Sequence, residues 1–129
     1  MDPAPHGPVV AVEFRHASWE DPATAASLKQ RGVALVVPDV PDIEALYHHE
    51  PAMTAPVGYT RLHSRDADKW HKGEKERYDY LYTLDELREI LGQWRSVTGP
   101  GQKVYAFFNN CHGGAAAANA EAFKRLLEE

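Results

Sequence analysis

The chain has 129 residues, 43% hydrophobic and 26% charged, with 14 Lys and Arg against 19 Asp and Glu for a net charge of -5. These values suit one small globular domain of ordinary composition. Cys111 is the lone cysteine, which excludes a disulfide scaffold or a cysteine-based finger, and the acidic balance excludes a general nucleic-acid or anionic-membrane binder.

The opening MDPAPHGP has neither a basic stretch nor an apolar core, so it is no signal peptide, and residues 1–8 are expected to be disordered. The longest aliphatic run, Val33 to Val37, is far too short to cross a bilayer. Residues 9–129 are therefore expected to form a single cytoplasmic domain with no membrane partner. Val9 to Phe14 is short, β-branched and preceded by Gly7-Pro8, which predicts a strand buried on both faces. Asp21 and Pro22 are an N-cap and a first-turn proline, and Gly32 is a helix stop, so a helix is expected between them. Ala34 to Pro38 predicts a second strand. The proline-rich segment that follows has room for only one helical turn near Ile43 to Tyr47.

Gly58 to His63 predicts a third strand, and the charged stretch from Ser64 to Asp79 reads as a long loop. There Trp70 and His71 are expected at the surface, with a mobile lid as the alternative. Thr83 and Glu86 form a capping box ahead of Leu84, Leu87, Ile90, Leu91 and Trp94 at helical spacing. After Gly99-Pro100-Gly101, Lys103 to Phe108 is the fourth strand. A last helix carries Ala122, Phe123, Leu126 and Leu127 as its inward stripe, with Asn119 on the same stripe bonded to nearby backbone, most simply the Gly-rich loop before it. Strands alternating with long connections predict a parallel sheet in an α/β fold.

Each strand turns polar at its C-terminal end, where parallel α/β folds bind ligands. The first ends in Glu13, Arg15 and His16, the second in Asp39, the third in Arg61, His63 and Arg65, and the fourth in Asn109, Asn110 and His112. Strand alternation puts Glu13 with Arg15 on one face and Arg61 with His63 on another, and the cost of burying such groups unpaired brings the two pairs into one pocket. Glu13 and His63 are the acid/base candidates, against a buried ion pair and a satisfied core histidine as the plain readings. Neighbouring arginines favour a neutral imidazole at His63. Asp39 is either a pocket group or a turn cap. Arg15, Arg61 and Arg65 suit carboxylate or phosphate, while Asn109 and Asn110 would orient a ligand. Gly113 and Gly114, before the last helix, let backbone N–H groups approach an anion. A metal site of Glu13, Asp39, His63 and His112 has suitable ligand types, but the adjacent arginines oppose it. No cofactor motif is present, and Cys111 beside His112 makes a poor nucleophile pair because adjacent residues seldom face each other.

The segments VAVEFRHASW (10–19), LVVPDVP (35–41), YTRLHSR (59–65), RYDYLYTLDEL (77–87) and VYAFFNNCHGGAAAANA (104–120) resemble the domain-of-unknown-function 72, or YecE-like, family in order along almost the whole chain. The matching positions are Glu13, Arg15, His16, Trp19, Asp39, Arg61, His63, Arg65, Tyr80, Tyr82, Asn109, Asn110, Asn119 and Ala120. The resemblance implies a TIM-type (β/α) barrel and supplies no reaction. Ser64 stands where the family usually has glycine, a change expected to narrow the pocket or alter the turn. All these motifs belong to the family's C-terminal half; the N-terminal ones, such as a GTSGW-like first strand, have no counterpart. A (β/α)8 barrel takes about 250 residues, so half a barrel of four parallel strands is expected. Three functions follow: a pocket for a small anionic, even phosphorylated, ligand; a half-barrel inactive alone, closed by a second copy or a partner supplying the missing half; or a metal-dependent hydrolase or isomerase.

Overall fold

A computed structural model describes residues 8–129. Of the segment 1–8 expected to be disordered, residues 1–7 lie outside the described residues and Pro8 is exposed. Four strands, β1 (Ala11–Val12), β2 (Ala34–Asp39), β3 (Val57–Leu62) and β4 (Lys103–Phe108), form one parallel sheet in the order β1-β2-β3-β4. The alternation of elements predicts this parallel sheet, and half of an eight-stranded (β/α) barrel is what the family resemblance implies.

The second strand is buried along nearly all its length, as its unbroken apolar run requires in a sheet covered on both sides. Its ladder tolerates Pro38 because β1 pairs only as far as Leu35. The first strand departs from expectation. Only Ala11 and Val12 pair with β2, and Val9 and Val10 are exposed. Being the sheet edge, β1 has one neighbour rather than two, and a run of valines cannot bury itself without the second.

Helix α1 (Pro22–Arg31) begins at the Asp21 cap and ends at Gly32, whose φ of 66° is the left-handed geometry that glycine meets without strain. The Thr83–Glu86 capping box opens α4 (Leu84–Val97). From it Leu87, Ile90, Leu91 and Trp94 pack with Leu35, Val37 and Leu62 of the sheet. Helix α5 (Ala115–Leu126) adds Leu126 to this core, while Leu127 beyond its last turn is exposed. The segment between β2 and β3 is tied down by Thr54, whose hydroxyl accepts from the Leu35 N–H at 2.8 Å and donates to the Val33 carbonyl at 2.6 Å.

Two expectations are corrected. The stretch from Ser64 to Asp79 is not a plain loop: it carries two single-turn helices, α2 (Ala67–Trp70) and α3 (Glu74–Arg77). Asp66 caps the first by accepting from the Lys69 N–H, and Trp70 turns inward to become buried. Asn119 does bond backbone, but that of Tyr82 rather than of the Gly-rich loop. Among the described residues, no helix is long and apolar enough to cross a membrane.

Candidate functional site

The period of two along β1 and β3 aims Glu13 and Arg61 to the same side of the sheet, and β2 between them offers only the low profile of Pro38 (paired with Arg61) at that level. The two pairs read from the sequence do meet. Arg61 Nη1 donates to Glu13 Oε1 at 2.6 Å, His63 Nε2 to Glu13 Oε2 at 2.9 Å, and Arg15 Nε lies 3.3 Å from the same Oε2. The Asn109 amide, at the end of β4, donates to His63 Nδ1 at 3.0 Å. With Nδ1 accepting, the ring proton sits on Nε2, facing the carboxylate. His63 is buried and both its nitrogens are engaged. It is therefore a positioning residue for Glu13, with no nitrogen free for a substrate.

Burial raises the Glu13 carboxyl, but the hydrogen bonds from His63 and Arg61 and the Arg61 charge outweigh it and lower its pKa to about 2. Glu13 is thus a permanent anion at neutral pH. It holds Arg61 in place while Arg15, 62% exposed at its side chain, reaches outward.

The other strand-end residues form separate groups. Arg65 does not join Arg15 and Arg61: it forks onto Asp39, with Nε 3.0 Å from Oδ2 and Nη2 2.9 Å from Oδ1, and Glu86 and Glu89 flank it. Its pKa is raised chiefly by the Asp39 hydrogen bonds. Tyr82 donates to Asp39 Oδ2 at 2.6 Å, and burial followed by the Asp39 charge pushes its phenol pKa up. Asp39 is therefore an anchor for two chain segments rather than a turn cap. Asn110 is fully buried and donates to the Tyr80 carbonyl and to Asn119 Oδ1, bracing α5. His16 caps the 3-10 turn Ala17–Trp19 by accepting from the Ser18 N–H. His112, Gly113 and Gly114 lie in an exposed turn, where the two glycines have φ of 60° and 79°. Among the described residues no three His, Cys, Asp or Glu side chains group as metal ligands. Glu13, Asp39, His63 and His112 are thus not brought together as one set.

The residues 64–79 contribute what the sequence reading left at the surface. Trp70 stands edge-on to His63, with ring centroids 6.3 Å apart, and Tyr78 packs against both. Ser64 starts this strap: its buried hydroxyl accepts from the Asp66 N–H at 3.0 Å. Lys69, bridged to Asp79 at 3.0 Å, holds the far end. Beneath the strap lies a hollow of about 140 Å³, bordered by Glu13, Arg15, His63 and Arg77 and by apolar side chains. Arg77 was not singled out from the sequence, since a cation in a run of charges gives no signal of its own.

The family described as "Protein of unknown function DUF72" matches residues 2–129. The chain belongs to this family. Among DUF72 proteins of known structure it is similar to one from Thermotoga maritima, at 40% identity and a TM-score of 0.82 over 94% of this chain and 46% of that one. A second, from Enterococcus faecalis, is 28% identical with a TM-score of 0.73, covering 94% of this chain and 48% of that one. The UPF0759 protein YunF of Bacillus subtilis is 28% identical over 92% of this chain and 46% of its own length. The chain thus spans about half the length of the DUF72 relatives it matches.

Proposed function

We propose that this DUF72 chain binds a small anionic ligand at the C-terminal ends of its strands, with Arg15 and Arg61 as the charge-holding groups. The observation that carries this reading is one carboxylate, Glu13, shared by two guanidiniums. A single negative charge cannot neutralise both, and Arg77, which lines a hollow together with Glu13 and Arg15, adds a third cation. The region is thus net positive within a chain of net charge -5, which favours an anion. Glu13 orders the arginines and His63 orders Glu13. Arg65 serves Asp39 instead, and His16, Asn110, His112, Gly113 and Gly114 play no part in holding the ligand. The hydrolase reading that needs a metal loses its ligand set to the arginines.

The test is titration calorimetry with acetate and inorganic phosphate at matched ionic strength. Saturable binding to the wild-type chain, weakened about tenfold in both Arg15→Met and Arg61→Met, is expected from the loss of one charge-assisted contact. Equal heats in wild type and both variants would sink the assignment.

A second reading rests on the stretch of the same sheet face that lies beside the open edge of β4. Tyr59, Tyr105 and Phe107 point to the concave side of the sheet and stack with centroids 5.3 and 5.7 Å apart. Tyr105 and Phe107 are 44% and 49% exposed beside the open edge of β4. An aromatic ladder at an unpaired strand edge is an interface feature. The four strands run parallel, so β4 of one copy and β1 of another pair in the same sense round a two-fold axis, giving eight strands. We read this face as the contact with a second copy of the chain. Light scattering is expected to give twice the 14.4 kDa of one chain, and Phe107→Lys to shift it to monomer. A wild-type monomer at all concentrations removes this reading and leaves the pocket untouched.

A further inference from the structure

The hollow under the strap has two chemically different parts. Glu13 and His63 close its base, and both are saturated with partners. The rest of the wall is mainly apolar: Phe14, Pro38, Val40, Leu46 and the rings of Tyr47 and Trp70. Its 140 Å³ corresponds to roughly five water molecules at about 30 Å³ each. Water there finds few partners on the apolar sides, and so does a bare inorganic anion.

At the mouth stand Arg15 and Arg77. Arg15 has its Nε 3.3 Å from Glu13 Oε2 as an ion pair. Arg77 spends its Nε on the Trp70 carbonyl at 3.0 Å, while its guanidinium lies 4.9 Å above the Trp70 ring. Among the described residues, neither arginine has a protein acceptor for its terminal Nη groups. Arg77 is held at its root by one hydrogen bond and Arg15 by one ion pair, and each is left with a free fork, the arrangement that receives a carboxylate in bidentate fashion. The cation stacked on Trp70 also fixes the plane of that indole, so a flat slot lies next to an anion-receiving rim.

We infer that the ligand of this pocket is an aromatic or heteroaromatic carboxylate: its ring lies against Trp70 and Tyr47, and its carboxylate meets Arg77 and Arg15. This deepens the anion-binding reading and rests on it. It also assigns Arg77 as a specificity-determining residue and gives the α2–α3 strap a purpose, since the strap supplies both the ring wall and the second cation.

Four probes separate the parts of the inference: benzoate, acetate, inorganic phosphate and benzyl alcohol, each titrated by calorimetry into the whole chain. Benzoate is expected to bind about tenfold or more tightly than acetate or phosphate, because only it buries apolar surface. It should also exceed benzyl alcohol, which keeps the ring and lacks the charge. Arg77→Met is expected to weaken benzoate about tenfold, and Arg77→Lys, which keeps the charge but not the fork, to recover part of the loss. If acetate, phosphate and benzoate bind alike and all need Arg61, the anion reading stands and the ring is overturned. If benzyl alcohol matches benzoate, the slot is real and the anion reading falls. If none of the four binds, both fall. An Arg77→Met variant that melts with the wild type and binds benzoate equally well removes Arg77 from the site.

Discussion

Replacing Glu13 with alanine is expected to lower the melting temperature by about 10 °C at neutral pH, corresponding to about 3 kcal/mol for a domain of this size. The side chain is 10% exposed and accepts from Arg61 and His63 while lying beside Arg15. Removing it leaves the His63 Nε2–H buried without a partner and places two guanidiniums near each other with nothing between them. The lost acceptor costs more than the lost contacts, because a stranded buried donor forfeits its full solvation. Arg61 is a third exposed and recovers some water, which keeps the figure at the lower end of what buried pairs cost. Glu13→Gln keeps the volume and one acceptor oxygen, so about half the loss is expected there, and the difference between the two variants isolates the charge.

The same carboxylate dictates a pH dependence. Its pKa falls from an ordinary 4.5 to about 2 on folding, so in acid the unfolded chain takes up the proton first. Its contribution to stability is therefore complete above pH 4.5 and is lost as the pH falls towards 2. At about 1.4 kcal/mol per unit, the gap between wild type and Glu13→Ala in urea unfolding should shrink by about 3 kcal/mol across that window. A gap that holds constant from pH 6 to pH 2.5 means the carboxylate is not held as the geometry requires. Glu13→Gln, which cannot titrate, is expected to run parallel to Glu13→Ala.

The meeting of Glu13, Arg61 and His63 was legible because strand alternation is local. Two residues apart on a strand is the same face, and charged groups on a buried face must find each other. Arg65 was misplaced by the same rule carried too far. The strand ends at Leu62, so alternation stops governing direction two residues before Arg65, and the bidentate partner Asp39 comes from a separate strand. Trp70 was misread, and Arg77 passed over, for another reason. A four-residue helix has no periodicity to detect, and seven of the ten residues from Asp68 to Arg77 are charged, so nothing local sets a buried indole apart. The usable signals were Ser64 and Asp66, two short polar side chains suited to turning the chain and capping a turn immediately before the tryptophan. Burial on β4 is set outside the strand. Tyr105 and Phe107 are aromatic strand residues left 44% and 49% exposed beside the unpaired edge of a sheet four strands wide.

Asn119→Leu is expected to destabilise the chain by about 3 kcal/mol or more, although it swaps a buried polar group for an apolar one of similar size. Apolar replacement is benign only when both members of a hydrogen bond go together. Here the partners are main chain and stay. Asn119 Oδ1 accepts from the Tyr82 N–H at 2.9 Å, and its Nδ2 donates to the Tyr82 carbonyl at 3.0 Å. The pair mimics one rung of a ladder for a segment that has no neighbouring strand. Oδ1 also accepts from Asn110 Nδ2 at 2.9 Å, so a third group loses a partner. At about 1–3 kcal/mol for each stranded buried group, the two backbone atoms alone account for the expected loss. Asn119→Asp keeps the acceptor oxygen but puts a second acceptor where the donor to the Tyr82 carbonyl stood, and it buries a charge with no cation hydrogen-bonded to it, so it is expected to be at least as costly. The effect should reach the pocket's neighbour. Tyr82 donates to Asp39, which holds Arg65, so loosening Tyr82 should speed amide exchange at residues 80–82 before global unfolding. Urea unfolding measures the stability, and exchange measures the local opening. A loss under 1 kcal/mol with unchanged exchange at Tyr82 contradicts the bracing role of Asn119.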